Sequence, residues 1–532
     1  MFDIVIRNGM VFDGSETDPV QADVAVRGGR VTAVAPSLAG EAARVIDAAG
    51  KFVTPGFIDP HAHSDFSLTV EPDGDSKLRQ GVTTEVVGNC GESAAPAVGL
   101  WAEEIQHTRF GPAGVQVNWT SFGEYLARLA SMKPITNVAP LVGHGAIRAS
   151  VLGIDDRAPT ASELEQMKDL TRAAMVEGAW GLSSGLIYPP GVYAKTDELV
   201  ELAREAQRFG GFYASHIRGE AATVLSAIGE AMEIGRQAGL PVQVSHVKVC
   251  GHRNFGMIDD LMGLVERARS WDVPVHFDQY PYTASSTSLI SVLPEWTYVG
   301  GSEASTRRLA DPAARQRLRR EMEETPDYFW DYAGTEDWSG VLITHCPARP
   351  EFQGQTVADA ARLLGRDPLE ALLDLLVVGR CVASCVMFDQ HEPNMQRIMR
   401  HDLVMVGSDG YAVKADGFSG QRAMHPRSYG TFPRVLGRYT RDEKVLTWPQ
   451  AVHKMTGLPA RAVGLTDRGV LRPGAWADIV VFDPEIVLDR ATFVNAHQYP
   501  TGIETVLVNG QVAVANGQTT GVRAGTVLPR PH

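Results

Sequence analysis

The chain lacks the apolar run of roughly eighteen residues that a membrane-spanning helix needs, so no membrane association is expected. Cysteine is scarce: there are five in 532 residues, at positions 90, 250, 346, 381 and 385. An odd number without framework spacing argues against a disulfide scaffold and for reduced thiols. Basic charge is in deficit, with 49 Lys and Arg against 63 Asp and Glu and a net charge of −14. That leaves no cationic excess to displace phosphate counterions, so nucleic acid is not an expected partner. The opening MFDIVIRNGMVFDG lacks a basic leader and reads as a first strand rather than a signal peptide. A cytoplasmic protein acting on a small molecule is the expectation, and homo-oligomerisation is left open.

What is present is a soluble-protein composition, 44% hydrophobic and 21% charged, in a chain too long for one ordinary core. Both ends have the texture of short strands with turn pairs. FDIVIRNG and DVAVRGGRVTAV carry Asn8-Gly9 and Gly28-Gly29, and IETVLVNGQVAVANG carries Asn509-Gly510. We therefore expect one small β-sandwich built from residues 1–55 and 465–532. Between them, residues 56–464 alternate apolar runs with amphipathic helices, the pattern of βα units. The run ending at His61 joins TTEVVGN, NVAPLVGH, GLSSG, GFYASH, PVQVSHV, PVHFDQYPY and LVMVGSD to give eight strand candidates. That number suits a (β/α)8 TIM-like barrel, an α/β fold whose site forms at the C-terminal strand ends. Residues 289–344 interrupt the rhythm and read as an inserted subdomain.

Chemistry-bearing residues recur at those strand ends. In GFIDPHAHSDF, alternation sends His61 and His63 to one face, so two imidazoles leave the strand tip together. Cys90 follows VVGN, His216 follows GFYAS, His246 follows VQVS and Asp409 follows VMVGS. A thiolate with two imidazoles leaves one tetrahedral position open, as at a catalytic zinc, and mixed sulfur and nitrogen donors favour Zn²⁺ over Mg²⁺ or Ca²⁺. Lys248 lies two residues beyond His246 on the same strand face. His144 in LVGHGAIR ends a strand too, with an outer-sphere or a packing role both open. His345 in THCP has no alternation tying it to the strand ends and is not included.

The HAH pair, the histidines ending later strands and the Asp of VGSDG resemble the amidohydrolase superfamily. The finer strings GFIDPHAHSD, GNCG, SHIRGE, VSHVKVCG, YPYTASST and HPRSYGTFPRVLG resemble N-acyl-D-amino-acid deacylases, also called D-aminoacylases. The resemblance implies that Cys90, His216 and His246 hold one tightly bound zinc. His61, His63 and Asp409 would line a second, weakly filled or empty position. It further implies hydrolysis of the amide of an N-acyl-D-amino acid, with Asp409 as general base and then acid. Lys248, Tyr188, Tyr282, Ser286 and Arg427 would bind substrate, Tyr280 being a rival to Tyr282 because both share a strand face. The segment from Asp409 to Arg427 is a candidate loop over the mouth. Two other readings are a cyclic-amide hydrolase of the dihydroorotase or hydantoinase kind and a non-catalytic barrel scaffold. Against the first stands the absence of a bridging lysine beside GNCG, and against the second the full set of donors.

Overall fold

A computed structural model describes residues 1–421 and 423–530 as a mixed α/β fold. Pro55-Gly56 divides what the sequence reads as one broken strand. Phe52–Pro55 pairs antiparallel with Ile479–Phe482, whereas Phe57–Asp59 pairs parallel with Val82–Val87. At the junction proline has no N–H to offer a ladder, and the Gly56 N–H donates to the Asp478 carbonyl at 2.7 Å. The chain thus passes from one sheet into another just before His61.

The first of these sheets has nine strands and draws on both ends of the chain. Its N-terminal part runs from Phe2–Val11 to Phe52–Pro55, and its C-terminal part from Ile479–Phe482 to Gln518–Thr519. Gly28-Gly29 (φ 58° and 77°) and Asn509-Gly510 (φ 50° and 78°) turn tight hairpins, as their sequences suggest. Asn8-Gly9 does not. The strand Phe2–Val11 runs straight through it, and the pair marks a register shift between Ile6 and Gly9, with Asn8 at φ 62°. The left-handed conformation that permits a hairpin also permits a bulge, and partner pairing on both sides decides for the bulge.

The central strands are parallel. One sheet orders Val404–Val406, Val275–Gln279, Val242–Val244, Phe212–His216, Gly181–Gly185 and Val142–Gly143, and a second orders Phe57–Asp59, Val82–Val87 and Asn137–Pro140. Val82–Val87, Gly181–Gly185 and Phe212–His216 are buried along their whole length, as strands covered on both faces must be. Ile58, Val86, Ala139, Phe212 and Ala214, from four of these strands, meet in one apolar cluster with Leu528. The helices between them are started by side-chain caps. Ser121 with Glu124 and Thr160 with Glu163 form capping boxes that satisfy N–H groups the first turn leaves open.

Between Gln279 and Val404 the chain builds a further three-stranded antiparallel sheet of Ser285–Ser288, Ser384–Met387 and Val341–His345. This sheet and its helices have a core of their own that includes Leu289, Leu309, Leu318, Leu369, Leu372 and Cys385. It extends past the 289–344 stretch that the sequence marks as inserted. Near the C-terminus, residues 524–528 run along the strand Asn137–Pro140. The Val138 N–H donates to Thr526 O at 2.9 Å and the Leu528 N–H to Val138 O at 2.8 Å. No helix among the described residues is long and apolar enough to cross a membrane.

Candidate active site

The parallel strands converge at their C-terminal ends on two groups of possible metal donors that share one sulfur. Cys90, His216 and His246 form one group, and His61, His63, Cys90 and Asp409 the other, with donor atoms in each within 4.8 Å of one another. Cys90 Sγ lies 3.7 Å from His246 Nε2 and 3.3 Å from His61 Nε2. His246 Nε2 lies 2.8 Å from His216 Nδ1, and His63 Nε2 lies 2.9 Å from Asp409 Oδ1. Donors on a tetrahedral zinc stand about 3.3–3.6 Å apart given ordinary Zn–N and Zn–S lengths, and the observed spacings bracket that range. His216 Nε2 is buried without a hydrogen-bond partner. A soft thiolate with two imidazoles, all buried, fits zinc.

The backbone is bent to deliver these donors. Cys90, His246 and Asp409 take φ of 54°, 35° and 51°, which side chains other than glycine seldom adopt. Each is pinned. The Asp409 N–H donates to the His61 carbonyl at 2.8 Å, and the His246 N–H donates to Asp278 Oδ1 at 2.8 Å. Around the Cys90 turn the neighbouring strand must come close, and a Cβ on Gly185 would collide with the Cys90 carbonyl oxygen. The same Asp278 oxygen meets His61 Nδ1 at 3.0 Å, which sets the ring so that Nε2 faces the sulfur.

Burial alone would raise the Cys90 thiol, but the imidazoles of His61, His216 and His246 outweigh it and hold it well below the ordinary thiol range. Burial likewise disfavours the Asp409 carboxylate, yet Arg427, with Nη1 2.7 Å from Asp409 Oδ2, and His61 and His63 keep it well below the usual carboxylate range. Both shifts favour the anionic form. Burial pushes the nearby Asp65 carboxyl up to about 7.

A cavity of about 430 Å³ opens over this cluster. Its wall includes His63, Cys90, His216, His246 and Asp409, together with three expected substrate residues, Tyr188, Ser286 and Arg427. The Tyr188 ring lies 4.9 Å from that of His216, and its hydroxyl accepts from Thr287 Oγ1 at 3.2 Å. Arg427 donates to the Ser286 carbonyl at 3.3 Å. Lys248 lies behind the wall, buried, with Nζ 2.5 Å from Glu220 Oε1. Tyr282, expected to contact substrate, lies behind a wall residue: its ring packs 5.1 Å from His425, which lines the cavity, and under Arg434 at 4.8 Å. Its rival Tyr280 sits between the two cations, 5.0 Å from the Arg427 guanidinium and 5.6 Å from Lys248 Nζ. Strand pleat puts both rings on one face, but the strand ends at Gln279, so alternation no longer governs either. His144 pairs with Glu198 at 2.8 Å, apart from the donor groups.

His345, which had no pattern to recommend it, lines the cavity because the inserted sheet carries it there. Phe418, Ser419, Ala423 and Met424 of the 409–427 segment line it as well. Two carboxylates that sequence reasoning passed over, Asp278 and Glu220, touch the donor histidines directly. The signals were an acid inside the apolar run VHFDQ and an acid four residues after His216 in SHIRGE.

Donor side chains gathered at parallel strand ends around a shared thiolate define a metal-dependent hydrolase scaffold, and the comparisons agree. Residues 44–514 match the model of the amidohydrolase family, and the chain belongs to that family. More particularly, it is 36% identical over 529 residues to D-aminoacylase of Alcaligenes xylosoxydans xylosoxydans, covering 99% of this chain and 98% of that one. A solved D-aminoacylase, described by a binuclear metal centre activated by one metal and attenuated by a second, superposes with a TM-score of 0.84 at 36% identity, with full coverage of both chains. N-acyl-D-glutamate deacylase from Bordetella bronchiseptica, solved with zinc and a phosphonate mimic of the tetrahedral intermediate, gives 0.83 at 37% identity, covering 99% of this chain and 100% of that one.

Proposed function

We propose that the protein is a zinc-dependent N-acyl-D-amino-acid deacylase that hydrolyses a linear amide to a carboxylate and a free D-amino acid. The observation that carries the reading is the pair of donor groups joined at Cys90, with Asp409 at their edge and Arg427 beside it. The D configuration and the N-acyl substrate rest on the relatives. Reduced, buried cysteines are compatible with a cytoplasmic location.

In this reading Cys90, His216 and His246 hold one tightly bound zinc, and His61, His63 and Asp409 frame a weaker second position. When bound, zinc supplies Lewis-acid polarisation of the scissile carbonyl and acidification of water. Asp409 accepts the proton from the water that attacks the carbonyl carbon. It then returns that proton to the amide nitrogen as the C–N bond breaks, so base and acid are one group in two steps. Arg427 and the Ser286 hydroxyl receive the substrate α-carboxylate on the cavity wall, with Lys248 adding positive potential from behind. Tyr188 borders the reacting amide beside His216.

The eight parallel strands, with Asn137–Pro140 and Val142–Gly143 counted as one, make a (β/α)8 barrel in this reading. Support comes from the Ala62–Gly410 bridge between the ends of the two parallel sheets and from the cluster that joins Ile58 to Phe212 across the interior. The test is a kinetic panel of N-acetyl D- and L-amino acids beside dihydroorotate and hydantoins, before and after chelation and zinc readdition. Turnover confined to N-acyl-D-amino acids, lost with the metal and restored by it, is expected. Preference for a cyclic amide, or indifference to chelation, would overturn the reading.

A further inference from the structure

Metal-bound imidazoles need their other ring nitrogen held, because a free ring rotates away from the ion and a hydrogen bond to a carboxylate strengthens the ligand. In the group formed by Cys90, His216 and His246, the nitrogens facing the sulfur and each other are His246 Nε2 and His216 Nδ1. The remaining nitrogens, His246 Nδ1 and His216 Nε2, both face Glu220. Glu220 Oε1 lies 2.9 Å from His246 Nδ1, and Oε2 lies 4.0 Å from His216 Nε2, the buried atom that has no hydrogen-bond partner.

Glu220 also holds a third group. Its Oε1 takes a hydrogen bond from Lys248 Nζ at 2.5 Å, and Lys248 Nζ donates as well to the His246 carbonyl at 3.0 Å. Lys248 Nζ lies 2.9 Å from His246 Nδ1 as well, so the three N–H directions of the ammonium all face Glu220 and His246. The Glu220 backbone is itself fixed, its carbonyl accepting from the Cys250 N–H at 2.7 Å, which ties the loop after the His216 strand to the loop after the His246 strand. This one carboxylate therefore touches His246 and the lysine behind the cavity wall, and its second oxygen faces His216 across 4.0 Å.

We propose that Glu220 is a positioning residue that sets the two zinc-binding imidazoles and, through its Oε1, holds the Lys248 charge behind the wall that receives the substrate α-carboxylate. The inference rests on the zinc deacylase reading above. It separates Glu220 from a general structural carboxylate, because its loss must disturb metal retention and substrate affinity together. Glutamine is the informative replacement: it keeps the size but offers one acceptor oxygen, and its NH₂ group opposes whichever imidazole N–H it faces.

The test uses the full-length zinc protein and measures zinc dissociation by competition with a chromophoric chelator, which requires no substrate. Glu220→Gln is expected to weaken zinc retention about 10- to 100-fold and to raise KM for an N-acetyl-D-amino acid, with a smaller fall in kcat at saturating zinc. Glu220→Asp should recover part of both losses, and both variants should still unfold cooperatively without zinc, Glu220→Gln at a lower midpoint because it strands the Lys248 charge. Lys248→Met should raise KM while leaving zinc retention unchanged. Wild-type zinc retention in both Glu220 variants would overturn the proposal even if the deacylase reading stands. A wild-type protein that takes up no zinc would overturn that reading and this proposal with it.

Discussion

Two buried polar clusters lie one step apart on the same strands, and they are built in opposite ways. In the deeper one Asp59 Oδ1 accepts the N–H groups of His61 at 3.2 Å and Ser408 at 3.0 Å. Its Oδ2 accepts from Lys77 at 2.6 Å and from the Ser408 hydroxyl at 2.6 Å. Lys77 and Asp59 are fully buried and Lys77 also donates to Ser408 Oγ. In the outer cluster, two residues beyond Asp59 and one beyond Ser408, the backbone is bent into the left-handed region at Cys90, His246 and Asp409, and His216 Nε2 has no partner. The saturated network holds the strand ends, whereas the outer one turns Cys90 Sγ, His246 Nε2 and His216 Nδ1 toward one another.

The sharpest way to break this contrast is to change one residue in each layer. Asp409→Asn should lower kcat about 10²- to 10⁴-fold while the protein still takes up zinc at the Cys90, His216 and His246 group, checked by steady-state kinetics and metal analysis. Loss of folding instead would place Asp409 in the scaffold. Lys77→Met should act conversely. Stranding the Asp59 charge should cost about 3–5 kcal/mol of stability, read from denaturant midpoints, and the double variant Lys77→Met with Asp59→Asn should recover part of it. An undiminished midpoint in the single variant would show that the deeper layer is not what locks the strand ends.

Asp389, just after the inserted strand Ser384–Met387, gives the contrast a third, pH-dependent member. It accepts from the Ser285 N–H at 3.1 Å and from the Ser285 hydroxyl at 2.6 Å, yet burial pushes its carboxyl up to about 6 from an ordinary 3.8. Between those values the unfolded chain has lost a proton that the folded chain retains. Stability contributed by this group is thus complete below 3.8 and declines as pH rises toward 6, by about 2–3 kcal/mol. Asp389→Asn should flatten the stability profile across that window, and an unaltered slope would remove the residue from the account. The smallest effect is expected from paired tyrosines. Tyr280→Leu, which removes the ring facing Arg427 and Lys248, should raise KM several-fold, whereas Tyr282→Leu should leave KM unchanged; the reverse result would put Tyr282 on the substrate wall.

Much of this architecture was legible in the chain because strands impose simple rules. His61, His63, Cys90, His216, His246 and Asp409 each follow an apolar run, and parallel strands that end together bring such residues together. Glu220 and Asp278 were not legible as partners, since each acts by contacting residues on other strands and no local period encodes that contact. Tyr280 and Tyr282 could not be told apart, since both lie beyond the strand that ends at Gln279 and face-sharing holds only within a strand. His345 was invisible for a related reason: its strand belongs to the inserted sheet, whose placement over the cavity depends on packing rather than on βα rhythm. Asn8-Gly9 shows that one dipeptide serves either turn or bulge until its neighbours pair.

The crossing at Pro55-Gly56 has a mechanical consequence. The segment that delivers His61 is continuous with the nine-stranded sheet, and that sheet is stitched from the two ends of the polypeptide. Peeling away Ile479–Phe482 would strip Phe52–Pro55 of one of its two partner strands and loosen the segment that leads to His61 within a few residues. If the zinc reading holds, damage at the tail should therefore register at the distant donor groups as slackened metal binding before the helices melt.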